Sequence, residues 1–157
     1  MERKEAENLI NTGIEALEMT DVFLIDLRIR GNKFEVFLDS DEGITFQKCQ
    51  RLSRWLEASL DASLVLGNDY TLEVSSAGVG SPLRFLRQYP KNIGKIIDVK
   101  YGEGLAVRGV LKSVEGNLIG IEVEKKVTEG KKTKKVTVIE TVRFEDIIES
   151  KIKITFN

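Results

Sequence analysis

The chain of 157 residues contains no histidine. That removes together the side chain most often used as a general base and the one most often used to hold a metal. Cys49 stands alone, which excludes a disulfide framework and a thiolate metal cluster. The longest purely apolar run is four residues, at 22–25, far short of the roughly 20 that a membrane-spanning helix needs. Residues 1–10, MERKEAENLI, are charged and lack the apolar stretch of a secretion signal. A cytoplasmic location is the expectation. Only two prolines occur, Pro82 and Pro90, and they bracket one short segment.

What is present is a packable and highly charged chain. An apolar share of 41% is enough for a core, and 31% charged residues of mixed sign fit a soluble globular protein rather than a disordered one. The net charge of −1 conceals a polarity along the chain. Residues 1–83 hold 8 Lys/Arg against 15 Asp/Glu, a net −7, while residues 84–157 hold 16 against 10, a net +6. An acidic half joined to a basic half suggests different partners, the basic one open to nucleic acid.

The stretch from Tyr70 to Leu83, YTLEVSSAGVGSPL, divides the two halves. Tyr70, Leu72 and Val74 alternate with Thr71 and Glu73, as in a strand with one buried face. Ser75, Ser76, Ala77, Gly78, Gly80 and Ser81 then break the pattern before Pro82, so the strand ends and the chain turns. Upstream, residues 2–18 place Ala6, Leu9, Ile10, Gly13, Ile14 and Leu17 on one helical stripe. Residues 23–30 alternate, with Phe23, Ile25, Leu27 and Ile29 expected on one face and Asp26, Arg28 and Arg30 on the other. Gly31-Asn32 fits a tight hairpin turn into a return strand of Phe34, Val36 and Leu38. Thr45 then caps a second helix whose expected buried stripe is Phe46, Cys49, Leu52, Leu56 and Leu60, with Trp55 at its edge. Residues 64–68 lead into the Tyr70 strand. Helix, strand, strand, helix, strand results, with both helices on one face of the sheet and the other left for a partner.

Beyond residue 93 the chain is rich in short strands, expected at 95–100, 105–114, 118–124, 134–142 and 151–156, with one helical turn at 144–148. Gly109 within the second of these signals a bulge or sharp bend, which a small barrel needs at its corners. The fold class is therefore α+β: an N-terminal α-β-β-α-β domain over 1–83, followed by a small Sm-like or SH3-like β-barrel over 84–157.

Few residues carry a chemical signal. The loop 125–135, KKVTEGKKTKK, sets Lys125, Lys126, Lys131, Lys132, Lys134 and Lys135 against one glutamate. It reads either as a solvated hairpin tip or as a finger that neutralises phosphates without reading sequence. It holds no aromatic residue, which argues against base stacking there. Arg84 and Arg87, beside Phe85 and Tyr89, either touch RNA or pack the segment between the domains. Gly78-Val79-Gly80 lacks the spacing of a phosphate loop, and Ser75 and Ser76 lack both a nucleophile elbow and a histidine to activate them. Asp39, Asp41 and Glu42 hint at a cation but lack EF-hand spacing, so a polar loop is the better reading. Cys49, on an apolar stripe, reads as a small core residue.

Taken together these residues resemble the ribosome maturation factor RimP family. The family's strand ends in a Leu-Glu-Val-Ser-Ser-Pro-Gly motif, which stands here as Leu72-Glu73-Val74-Ser75-Ser76-Ala77-Gly78, and its Pro-Leu step is Pro82-Leu83. Cys49-x-x-Leu52-Ser53-Arg54, Leu60-Asp61 and Ile93-Gly94-Lys95 also fit. Ala77 replaces the usual proline, and Gly80-Ser81 replaces an Asp-Arg pair, so a charge pair is missing and Arg84 is the nearest basic substitute. The resemblance implies a non-enzymatic cytoplasmic factor for assembly of the small ribosomal subunit. Its implied partners are the free subunit or its precursor, rRNA and a small-subunit ribosomal protein, with no metal or other cofactor, no membrane and no small-molecule substrate. Two other readings stand beside it. One is an Sm-like RNA-binding regulator. The other is an enzyme with a metal in the 39–42 loop.

Overall fold

A computed structural model describes residues 1–63, 66–67, 69–78 and 80–153. Val79, most of the expected 64–68 connection and the far end of the expected last strand lie outside them. The chain forms two compact units, Met1–Ala77 and Gly78–Asn157. From sequence the change was expected at 83/84. Leu83 here packs against the core of the second unit, and its N–H donates to Ser150 O at 2.8 Å.

The first unit runs α1 (Arg3–Ala16), β1 (Val22–Arg30), β2 (Lys33–Ser40), α2 (Phe46–Ser63) and β3 (Thr71–Ser76). β1 and β2 are an antiparallel hairpin around Gly31-Asn32, and α2 crosses over so that β3 joins the other side of β2 in parallel. Both helices bury their apolar stripes in one cluster: Ala6, Ile10 and Ile14 from α1, Cys49, Leu52 and Leu56 from α2, with Leu27, Val36 and Leu38 from the sheet. Thr45 caps α2 as expected, its Oγ1 accepting from Lys48 N–H at 3.3 Å.

Two expectations fail in this unit. The alternation in β1 is broken by a bulge between Leu24 and Asp26. Val22 and Leu24 therefore point into the core with Leu27 and Ile29, and Phe23 shares the opposite face with Asp26, because one extra residue reverses every side chain before it. Phe46 is not on the buried stripe but 74% exposed. It is the first residue of the helix, and Ile44, just before the cap, packs on the cluster.

A polar knot joins the end of β2 to α2. Asp21 Oδ2 accepts from Ser40 Oγ at 2.6 Å and from Lys48 Nζ. The Lys48 bond, then the Ser40 bond, hold the Asp21 carboxyl below its ordinary range.

The second unit opens with two 3-10 turns, Leu86–Gln88 and Pro90–Asn92, and continues as β4 (Ile96–Tyr101), β5 (Leu105–Glu115), β6 (Leu118–Glu129), β7 (Lys132–Arg143) and β8 (Ile147–Ile152). The antiparallel sheet has the order β7-β6-β5-β4-β8. Ile97, Val99, Val107, Leu111, Ile119 and Ile121 form its core. Val142 from one edge strand and Ile147 and Ile152 from the other reach the same cluster, so the sheet curls on itself as a small Sm-like barrel. The chain is thus α+β. The helical turn expected at 144–148 is shorter, a 3-10 turn over Phe144–Asp146, and β8 begins at once with Ile147, which is needed in the core.

The bulge in β5 lies between Leu111 and Ser113 rather than at Gly109. Gly109 answers a different need: a Cβ there would meet Glu122 O at 2.2 Å and Ile121 Cγ2 at 2.9 Å. Gly109→Ala is expected to destabilise the second unit by about 3 kcal/mol or more, because a backbone oxygen cannot move aside as a side chain can; urea unfolding followed by circular dichroism measures it. For Asp21 the sign follows from its depressed pKa. Its contribution is complete above the unfolded value of about 3.9 and is lost as pH falls through the folded value. The stability gap between wild type and Asp21→Asn is therefore expected at pH 7 and should close in acid, a trend read from unfolding midpoints across pH.

Candidate nucleic-acid interface

The lysine-rich stretch 125–135 is not a loop. β6 and β7 stay paired past the core through Lys125↔Val136, Lys126↔Lys135, Val127↔Lys134, Thr128↔Thr133 and Glu129↔Lys132. The β-branched residues Val127, Thr128, Thr133 and Val136, set among the lysines, favour extended backbone despite the charge. Gly130, at φ 64°, takes the first central position of the closing two-residue turn, a conformation that costs glycine little. The expected finger is thus a two-stranded ribbon, continuous with a strand pair whose base is buried.

Register sorts the lysines by face, since residues directly opposite share a side and sides alternate. Lys125, Val127, Glu129, Lys132, Lys134 and Val136 continue the side that carries Ile119, Ile121 and Val123 in the barrel core. On that side Lys125 Nζ reaches back to Glu140 Oε1 at 3.0 Å, and Lys132 stands opposite Glu129. Lys126 and Lys135 lie on the other side, directly opposed, and Lys131 occupies the turn. Among the described residues neither Lys126 nor Lys135 has an ion-pair partner.

Arg84 and Arg87 sit on a different element, the segment that leads into the first 3-10 turn, and both are exposed. A hydrogen-bonded knot fixes that segment. Gln88 Oε1 accepts from the N–H groups of Arg84 at 2.7 Å and Phe85 at 2.9 Å, and Asn92 Nδ2 donates to Gln88 O at 2.7 Å. Tyr89, fully buried, shares a 2.6 Å hydrogen bond with Ser150 Oγ and stacks edge-on against Phe144 at 5.9 Å. Burial pushes the Tyr89 phenol up, the main influence on it. Sequence reasoning placed Tyr89 in the segment but did not find this bond; an aromatic next to Pro90 was the only signal.

The motif residues divide by role. Leu72 and Val74 pack against the first core, while Glu73, Ser75 and Ser76 are exposed on β3. Lys33 Nζ lies 3.6 Å from Glu73. Ser81 N–H closes a turn on Gly78 O at 3.0 Å, and Gly80 holds φ 84° within it, the left-handed geometry that favours glycine at that place. Pro82 is exposed after the turn and Leu83 joins the barrel core. Among the described residues no group of three or more acidic, cysteine or histidine side chains converges as a metal site would, and Asp39, Asp41 and Glu42 do not form one.

An αββαβ unit joined to an Sm-like antiparallel barrel defines a two-unit α+β protein. The RimP N-terminal domain model matches residues 13–80. A ribosome maturation factor RimP from Christiangramia forsetii is 37% identical over 99% of this chain and 100% of its own length. Those of Flavobacterium psychrophilum and Porphyromonas gingivalis are 36% and 35% identical, each over 83% of this chain, with 84% and 86% of their own lengths covered. The chain belongs to the ribosome maturation factor RimP family.

Tyr89→Phe is expected to cost about 1–3 kcal/mol, because Ser150 Oγ would stay buried without its partner. Urea unfolding of wild type and variant tests it, and Tyr89→Phe with Ser150→Ala should recover part of the loss.

Proposed function

We propose that this chain is a ribosome maturation factor that acts in assembly of the small ribosomal subunit by binding, with no covalent bond made or broken. Its family membership carries the reading, since relatives alike over 83% to 99% of its length are named ribosome maturation factors. The charge polarity supports it. The net +6 of residues 84–157 suits the phosphates of precursor-subunit rRNA, and the net −7 of residues 1–83 suits a basic small-subunit ribosomal protein. The functional division follows the two halves, 1–83 and 84–157, in the cytoplasm, and no metal or other cofactor takes part. Arg84, Arg87 and the six ribbon lysines are the RNA-facing candidates. Such a factor acts by binding one arrangement of RNA and protein better than others, since binding shifts populations only through differential affinity.

A second reading, an Sm-like RNA-binding regulator, draws on the barrel and its two edge strands, β7 and β8. It requires rings assembled through those edges. A monomer by light scattering counts against it.

Gradient fractionation of cell extract tests the main reading. The protein should migrate with free small subunits and not with assembled ribosomes. Replacing all six ribbon lysines by alanine should weaken subunit binding and flatten its salt dependence. Migration away from the free small subunit would overturn the reading.

A further inference from the structure

From the register of the ribbon we infer that Lys126 and Lys135 form a two-lysine phosphate clamp, and that the opposite side of the ribbon serves as its support. The inference rests on the RNA-binding reading above and divides the six lysines that it treats alike. Lys126 and Lys135 are directly opposed on one side, so their Cβ atoms stand about 5 Å apart. Like charges in that relation destabilise a ladder. Among the described residues no ion pair engages either lysine, and the carboxylate nearest in register, Glu124 in the next pair toward the base, stands beside the pair and not between its members. The cost is avoidable: on the other side no two lysines are directly opposed, since Lys125 pairs with Glu140 and stands opposite Val136, Lys132 stands opposite Glu129 and Lys134 opposite Val127. A bound anion supplies what Lys126 and Lys135 lack.

The surroundings of the pair select a phosphate backbone over an acidic peptide. The next pair toward the tip on the same side is Thr128↔Thr133, two hydroxyls directly opposed. Two ammonium groups followed by two hydroxyls make a row of hydrogen-bond donors, suited to successive phosphate oxygens, which Lys and Thr both contact. On this side the nearest exposed apolar residue is Ile139, 55% exposed, which lies two pairs toward the base, past Glu124↔Thr137, so beside the clamp itself no apolar side chain stands to seat a peptide. The exposed valines, Val127 at 42% and Val136 at 36%, lie on the other side.

The test compares two double variants that remove equal charge. Lys126→Ala with Lys135→Ala deletes the clamp, and Lys125→Ala with Lys132→Ala deletes two lysines of the supporting side. Binding of the full chain to purified small-subunit rRNA is measured against salt, with melting followed by circular dichroism. Loss of two phosphate contacts should reduce the salt slope by nearly two, equivalent to roughly 60-fold in affinity at 0.1 M salt. The supporting-side variant, whose lysines add general positive charge, should lose less than half as much slope as the clamp variant. Lys126→Glu gives Lys135 a cross-strand partner. It should raise the melting temperature by about 1–3 °C while weakening rRNA binding, opposite movements that a purely structural residue does not produce. Equal losses in the two double variants would overturn the clamp in favour of diffuse positive charge, and so would a lower melting temperature for Lys126→Glu. Unchanged rRNA binding by the clamp variant, with loss of binding to purified small-subunit ribosomal proteins, would overturn it in favour of a protein partner. Wild-type protein that does not bind rRNA at all would bring down the RNA-binding reading and the clamp together.

Discussion

The hydrogen-bonded register between β6 and β7 runs without a break from Leu118↔Arg143 to Glu129↔Lys132. At its base it buries Ile119, Ile121 and Val142, and at its tip it buries nothing. An isolated two-stranded hairpin is marginal in water, so the tip keeps its form because the base is anchored in a core. The same register decides which lysines share a side. A slip of one residue would exchange the two sides of the strand and would take Ile119 and Ile121 out of the core as well. Burial at one end therefore sets the charge geometry at the other.

Within each unit, polar knots hold what the cores leave loose. In the first unit Asp21, Ser40 and Lys48 tie the end of β2 to α2, next to the cap made by Thr45. In the second, the Tyr89–Ser150 bond and the Gln88 carbonyl and amide contacts fix the segment before β4. Tyr89 and Ser150 are both fully buried, so each hydroxyl would otherwise lose its water without return. Arg84 and Arg87 thus sit on backbone that is held, and on the proposed reading this limits the entropy lost on binding.

Much of this was legible in the sequence. Periodicity located α1 to within two residues of its ends and α2 at its start, and alternation located β2 and most of the barrel strands. The misreadings have particular causes. The bulge at Leu24/Asp26 leaves no mark in composition, because residues 22–25 are all apolar and fit either face. Phe46 has the right spacing for the buried stripe, but spacing cannot say where the sheet beneath a helix ends. The 125–135 stretch read as a loop because charge was given more weight than the β-branched residues among the lysines. The candidate interface was accordingly legible as a composition. Its division into two sides was not, since that depends on pairing between residues as far apart as Lys125 and Val136 and on the turn at Gly130.

The choice of cation bears on how such an interface would work. All six basic residues of the ribbon are lysine, with no arginine among them. Arginine offers a planar fork that fixes orientation toward a phosphate, whereas lysine is a hydrated point charge on a flexible stem. Lysines also gain from counterion release without demanding one geometry from the RNA. A factor that engages RNA before its final shape is reached benefits from that tolerance, and it must also leave when the shape is complete. Contacts built from point charges speed encounter by steering, and they add little to lifetime unless desolvated. On the proposed reading the ribbon gathers immature RNA without requiring that one fold of it be already in place.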